Sequence, residues 1–226
     1  MNYSGKIEKL KNVLNALPGV AVTESIGIEK DFITCVSMTT NSAGTIKACR
    51  TEVKDAPALF EFYTTGLSEK PKKMFAPYPL FHTPPESARD LAKRIADWQK
   101  EDDWTAISLF KDEKVIGFGL LKRFCSAQAT SAIVIHDNYL QKGLGCLLQH
   151  IIVEQARLLN IPKFHVKVVS DNYASIRLHE KCGFKKTKNL PPGLYEKMFQ
   201  YLSDLDRENR LPAKDRYLIE MVIKFN

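Results

Sequence analysis

The chain has 226 residues, 44% of them hydrophobic and 26% charged, with a formal net charge of +7. That makeup is ordinary for a globular protein with a substantial core, and one domain with an extension is the simplest count. No apolar run reaches the roughly 18 residues that would suggest a membrane span.

The first dozen residues lack the apolar core of a secretory signal. Five scattered cysteines, Cys35, Cys49, Cys125, Cys146 and Cys182, show no C-x-x-C and no metal-like grouping with histidine. They fit free thiols in a reducing cytoplasm, and no metal site is expected. Positive charge attracts polyanions, but no helix-turn-helix or zinc spacing points to sequence-specific nucleic-acid binding.

Residues 1–44 read as an extension ahead of a catalytic unit at 45–226. Ser4 caps a helix whose stripe is Ile7, Leu10, Val13, Leu14 and Leu17, and Pro18-Gly19 ends it. Val20 to Ile26 and Phe32 to Met38 form a hairpin around Glu29-Lys30-Asp31, and residues 39–44 are a linker or turn. A strand follows over Ile46 to Val53. Asp55 and Pro57 then open a helix with Ala58, Leu59, Phe62 and Tyr63 on its apolar face, stopped by Gly66.

Residues 67–86 are rich in proline and aromatics and have no period, the mark of a lid or a binding wall. Phe75, Tyr78, Phe81 and His82 either face a ligand there or anchor the loop on the core. Thr83-Pro84-Pro85-Glu86 has the form of a capping box for a helix carrying Ala88, Leu91, Ile95 and Trp98 inward. Trp104 to Phe110 and Lys114 to Phe124 alternate as a hairpin around Lys111-Asp112-Glu113. Gly117 and Gly119 inside its second strand signal a bulge or a close approach.

Ser131 to Val153 carries the chemistry. An apolar β-branched run, Ala132-Ile133-Val134-Ile135, suits a buried strand. Gln141-Lys142-Gly143-Leu144-Gly145 follows, and Leu144, Leu147, Leu148, Ile151 and Ile152 then repeat as one face of a helix. A helix start leaves unpaired N–H groups and partial positive charge. Two glycines let an anion approach, and Lys142 adds a full charge, so a phosphate or pyrophosphate is the expected guest.

Pro162 closes that helix, and Lys163 to Ser170 reads as a strand. Asp171-Asn172-Tyr173 is a polar loop before a short helix, residues 174–182, stopped by Gly183. Phe184 to Lys188 extends again, with Lys181, Lys185, Lys186 and Lys188 forming either a solvated face or a phosphate-receiving cluster. Residues 194–215 are an insertion, and Arg216 to Phe225 alternates as a final strand.

Gly143-x-Gly145, then Asn172, then Leu178-His179-Glu180-Lys181-Cys182-Gly183-Phe184, in this order and at this spacing, resemble the GNAT superfamily of N-acetyltransferases. The resemblance implies an α/β (α+β) fold whose central sheet is mixed and mostly antiparallel, with a splayed parallel strand pair and flanking helices. It implies acetyl-CoA as cofactor. The pantetheine arm would meet Ile133, Val134 and Ile135. The pyrophosphate would sit on Gln141, Lys142, Gly143, Leu144, Gly145 and Cys146, and Asn172 and Ser175 would flank the arm.

It further implies direct transfer of the acetyl group to a primary amine of a small molecule or peptide in a ternary complex. Phe75, Tyr78, Phe81 and His82 would line the acceptor site. Two positions depart from the pattern. Leu140 stands where the family has Arg or Gln. His179 stands where many members have a tyrosine that protonates the leaving thiolate, and an imidazole could serve as that acid. No carboxylate falls in the strand at 131–136, so Glu52, His82 and His136 are the remaining base candidates. These departures keep open a non-catalytic acyl-CoA sensor on the same fold, and a homodimer is also left open.

Overall fold

The computed structural model describes residues 3–23, 26–75, 80–81, 83–101, 103–126, 128–191 and 217–225. The chain runs α1 (Tyr3–Asn15), β1 (Val20–Val22), β2 (Gly27–Glu29), β3 (Phe32–Thr40), β4 (Gly44–Arg50), α2 (Ala56–Thr65), α3 (Glu69–Met74), α4 (Ala88–Trp98), β5 (Trp104–Lys111), β6 (Lys114–Lys122), β7 (Thr130–Ile135), α5 (Leu144–Leu158), β8 (Lys163–Val169), α6 (Tyr173–Lys181), β9 (Lys185–Asn189) and β10 (Leu218–Lys224). The strands form a single sheet in the order β1-β3-β4-β5-β6-β7-β8-β10-β9, with β2 paired to β3. Every pairing is antiparallel except β7 with β8. The expected mixed, mostly antiparallel sheet with flanking helices is what forms.

Local chemistry explains the short turns. Lys30-Asp31 and Asp112-Glu113 adopt positive φ at both positions, from 47° to 68°, as two-residue hairpin turns require. In β6, Ile116 is an extra residue opposite the Leu109/Phe110 step, so the anticipated bulge is present. The close approach is present too: a Cβ on Gly119 would lie 2.5 Å from Ile152 Cδ1 and 3.0 Å from Ile133 Cγ2. Glycine there lets α5 settle directly onto the middle of the sheet.

The two faces of the sheet bury separate cores. On one, α1 and α5 bring Leu10, Leu14, Leu147, Leu148, Ile151 and Ile152 against Val36, Met38, Ile107 and Leu109. On the other, α2 and α4 bring Leu59, Phe62, Leu91, Ile95 and Trp98 against Phe118 and Leu120. α5 is buried on nearly every side, and its polar residues are satisfied internally. Gln155 accepts from Ile33 N at 2.8 Å and donates to Asp31 O at 2.8 Å, while Gln149 bonds Ser131.

The helix α1 and the strands β1 to β3 therefore share this sheet and this core. Ser42 Oγ also donates to Lys142 O at 2.6 Å, fastening the β3–β4 turn to the glycine turn. Cys35 and Cys49 stand opposite each other in β3 and β4 and are joined by a disulfide, which corrects the expectation of five free thiols. Their pairing follows from strand register and has no signature in sequence spacing.

Three further differences are local. The helix expected from the Thr83 capping box begins later, at Ala88, because Ser87 Oγ accepts from Asp90 N at 3.1 Å and captures the cap. A short helix, α3, interrupts the stretch expected to be irregular. Among the described residues the lysine-rich β9 is an outermost strand with all five residues exposed, so its charges guard the sheet edge. The insertion at 194–215 lies outside the described residues. Among the described residues no helix is long and apolar enough to cross a membrane.

Candidate active site

β7 and β8 touch at one point and then part. β7 pairs with β6 through all six of its residues, and β8 pairs with β10 through all seven. Between β7 and β8 the only register pair is Thr130 with His165, closed by His165 N donating to Ala129 O at 2.9 Å. Beyond it a wedge opens toward the carboxyl ends of both strands.

The backbone of β7 faces that wedge selectively. His136 N donates to Ile116 O at 3.0 Å, and Gly117 lies opposite Ile135. Antiparallel pairs alternate between bonded and non-bonded. Val134 and Ala132 therefore exchange their bonds with β6, while the N–H and C=O of Ile133 and Ile135 turn toward the β8 side. Of the three strand residues expected to meet a ligand through the backbone, Ile133 and Ile135 have the orientation for it and Val134 does not.

The wedge ends at the first turn of α5. Gly143 is its N-cap, with φ 77°, and no side chain caps it. Gln141 also adopts a left-handed φ of 60°. Successive N–H groups around such alternating conformations line a concave, positively polarised nest suited to an anion. A Cβ on Gly143 would meet nothing within 4 Å, so glycine is needed there for conformation alone. Gly145 lets α6 come close, since a Cβ there would lie 2.8 Å from Leu178 Cδ1, which would have to shift. Lys142 is exposed and stacks over the Tyr139 ring at 4.8 Å, and Leu140 is half exposed beside it.

Across the wedge, β8 leads into α6. Asn172 caps that helix, its Oδ1 accepting from Ser175 N at 3.1 Å. The cap uses the carbonyl half of the amide. The NH2 half carries two donors that the cap does not use.

His179 lies one turn further on and is only 6% exposed. Its Nδ1 donates to Ser175 O at 2.8 Å, with Ser175 Oγ 3.3 Å away, and the Phe184 ring stands edge-on to it at 5.3 Å. Burial holds its pKa down to about 4 despite the carbonyl bond, which acts in the opposite sense. The imidazole is neutral at pH 7, and its one proton is committed to the helix. That state runs against the expectation of an acid with a proton to give.

On the far side of β7 the long segment after α2 is pinned by its aromatics. Phe75 and Phe81 are 5% and 2% exposed. Phe81 stacks on Tyr63 at 4.9 Å, and Phe75 and Phe81 meet Phe118 edge-on at 6.0 and 5.6 Å. Phe75 and Phe81 thus anchor on the core, the second of the two readings that the sequence left open for them. Tyr78 and His82 lie outside the described residues.

Two residues just past β7 complete the site. His136 Nδ1 accepts from Asn138 N at 3.1 Å, so the lone pair it would use as a base is engaged, and burial lowers its pKa. Glu52 sits with Lys54 on an exposed surface. Asp137 was not singled out in the sequence, because it falls one residue beyond the strand. Its Oδ2 accepts from Ser68 N at 2.8 Å, its own N donates to Gly66 O at 2.9 Å, and its buried Oδ1 has no hydrogen-bond partner among the described residues.

Solved structures share this architecture. A GNAT-family acetyltransferase from Streptococcus pneumoniae is 18% identical and matches 80% of this chain and 99% of its own, with a TM-score of 0.58. A spermidine N-acetyltransferase from Vibrio cholerae, solved with CoA and spermine, is 16% identical over 79% of this chain and 95% of its own, with a TM-score of 0.58. A Salmonella typhimurium protein solved with its cofactor acetyl-CoA is 18% identical over 80% and 94%, with a TM-score of 0.56. At such identities the likeness speaks for the fold. A search of curated protein sequences finds no match. The family model described as an acetyltransferase (GNAT) domain matches residues 48–185, more than half of the chain and the whole stretch from β5 to α6. With the wedge, the uncapped glycine turn and the Asn172 helix in place, the chain belongs to the GNAT family of acetyltransferases.

Proposed function

We propose that this chain transfers the acetyl group of acetyl-CoA to a primary amine of a small molecule or peptide by direct attack in a ternary complex. The observation that carries the reading is the single-pair contact of β7 with β8, which opens a wedge running straight into an uncapped helix start. Acetyl-CoA, when bound, supplies the activated acetyl thioester. Gln141 to Cys146 hold its diphosphate through backbone N–H groups, with Lys142 adding charge. Ile133 and Ile135 pair with the pantetheine amides as a missing strand would. Asn172 and Ser175 flank the arm from the β8 side.

The Ile135 N–H, turned into the wedge, steadies the thioester oxygen as it gains negative charge. An ammonium ion has no free lone pair near pH 7, so a group near the end of β7 must draw off its proton. We assign this role to Asp137, whose buried Oδ1 has no hydrogen-bond partner among the described residues, acting directly or through water. His179 stays neutral in this reading, so a departing thiolate would take its proton from solvent. The segment after α2, tied to Asp137 through Gly66 and Ser68, bounds the acceptor side.

Free-thiol release from acetyl-CoA, screened against polyamines, amino acids, aminoglycosides and peptide N-termini, tests this. Acceptor-dependent release with at least one class is expected. A chain that binds CoA yet releases no thiol with any of them would overturn it. The Vibrio cholerae relative, solved with spermine, makes polyamines the first class to try.

A further inference from the structure

Three side chains that acetyl transfer leaves unused converge where α5 packs on α6. Cys146 and His150 stand four residues apart on α5, so they project from one face of the helix. Cys182 is the C-cap residue of α6. Its Sγ lies 3.6 Å from that of Cys146, and one ligand atom from each of the three residues lies within 4.8 Å of the other two.

The sulfur spacing discriminates between two uses of such a pair. Two thiolates on one tetrahedral zinc, each at about 2.3 Å from the metal, stand about 3.8 Å apart. The separation here is 3.6 Å. A disulfide would need the sulfurs to close to about 2.05 Å, and at 3.6 Å they are unbonded.

We propose that Cys146, His150 and Cys182 form a binding site for a thiophilic tetrahedral cation of the zinc class, with an exogenous donor such as water as fourth ligand. Two sulfurs and one imidazole are a donor set that favours such an ion over magnesium or calcium, which take oxygen. Cys182 is buried while Cys146 and His150 are half-buried, so the fourth position faces outward, from where an ion enters.

The ion clamps α5 to α6, the helices whose first turns carry Gly143 and Asn172, so cation and CoA affinities are reciprocally linked.

The test uses the full chain, reduced and stripped with chelator, titrated with zinc against a chromophoric competitor, with cobalt as a spectroscopic substitute. One equivalent of zinc binds, and the cobalt form shows thiolate-to-metal charge transfer. Cys182→Ser and His150→Gln each weaken zinc by about tenfold or more. Cys125→Ser and Cys35→Ser leave it unchanged. Should Cys182→Ser fail to fold, the half-buried His150→Gln decides alone. Unchanged affinity in His150→Gln, no stoichiometric zinc, or a Cys146–Cys182 disulfide in the freshly isolated chain would each overturn the proposal.

Discussion

The most exacting consequence concerns His179. Its ordinary pKa of 6.5 falls to about 4 in the folded chain because burial disfavours the imidazolium. Between those values the unfolded chain binds a proton that the folded chain refuses. The contribution to stability is therefore complete above pH 6.5 and is lost progressively as pH falls toward 4. A span from 6.5 to about 4 corresponds to about 3 kcal/mol, of which about 2 kcal/mol is gone by about pH 5. Against a typical total of roughly 5–15 kcal/mol that is a large loss from one residue.

Urea denaturation of the wild type and of His179→Phe between pH 4 and 7.5 isolates it, since all other titrating groups are common to both. The wild-type advantage should shrink by about 3 kcal/mol across the range. The same variant bears on mechanism. A general acid at this position would cost about 10²–10⁴-fold in kcat on removal, whereas a neutral imidazole that serves packing costs about tenfold or less. Parallel stability curves, an imidazole resonance titrating near 6.5, or the larger loss of kcat with an intact fold would refute the assignment.

Other outcomes follow from single positions. Gly143→Ala forces an alanine into φ 77° at a strain of about 1–2 kcal/mol, so calorimetry should show CoA binding weakened by about 5–30-fold, and Gly143→Asn should recover much of the loss. Asn172→Asp keeps the cap on Ser175 N but removes the amide donors. It should hold the melting temperature while weakening CoA, whereas Asn172→Ala should also lose about 1 kcal/mol of stability. Gly119→Ala sets a Cβ 2.5 Å from Ile152 Cδ1 and should cost about 1–3 kcal/mol in urea titrations. Asp137→Asn should lower kcat by about 10²-fold or more with CoA affinity unchanged. A kcat near wild type would remove Asp137 from the chemistry.

What was legible in the sequence was local. The period of Leu144, Leu147, Leu148, Ile151 and Ile152, the two glycines ahead of them and the polar loop around Asn172 each announce themselves within a few residues, and β7, α5, β8 and α6 fall where that grammar puts them. What stayed hidden depends on partners far along the chain. The divergence of β7 from β8 is a property of register. The burial of His179 depends on Phe184 folding over it, and a helix of nine residues gives too short a period to reveal an inward face. Cys146 and His150 carry a readable spacing of four, but Cys182 joins them only through helix packing. Phe75 and Phe81 look like a binding wall in composition and become anchors through rings on Tyr63 and Phe118.

The fastening of the first forty-four residues to the rest has a practical reach. Trimming the chain to residues 48–185, the stretch that the family model recognises, would remove β3, β10 and more than half of β4, baring rows of main-chain donors and acceptors to any passing strand, and would cut the Cys35–Cys49 link and the Gln155 and Ser42 tethers in one stroke. A shortened enzyme of this kind should clump rather than fold. The segment that looks dispensable by homology is the keel that keeps the glycine turn upright.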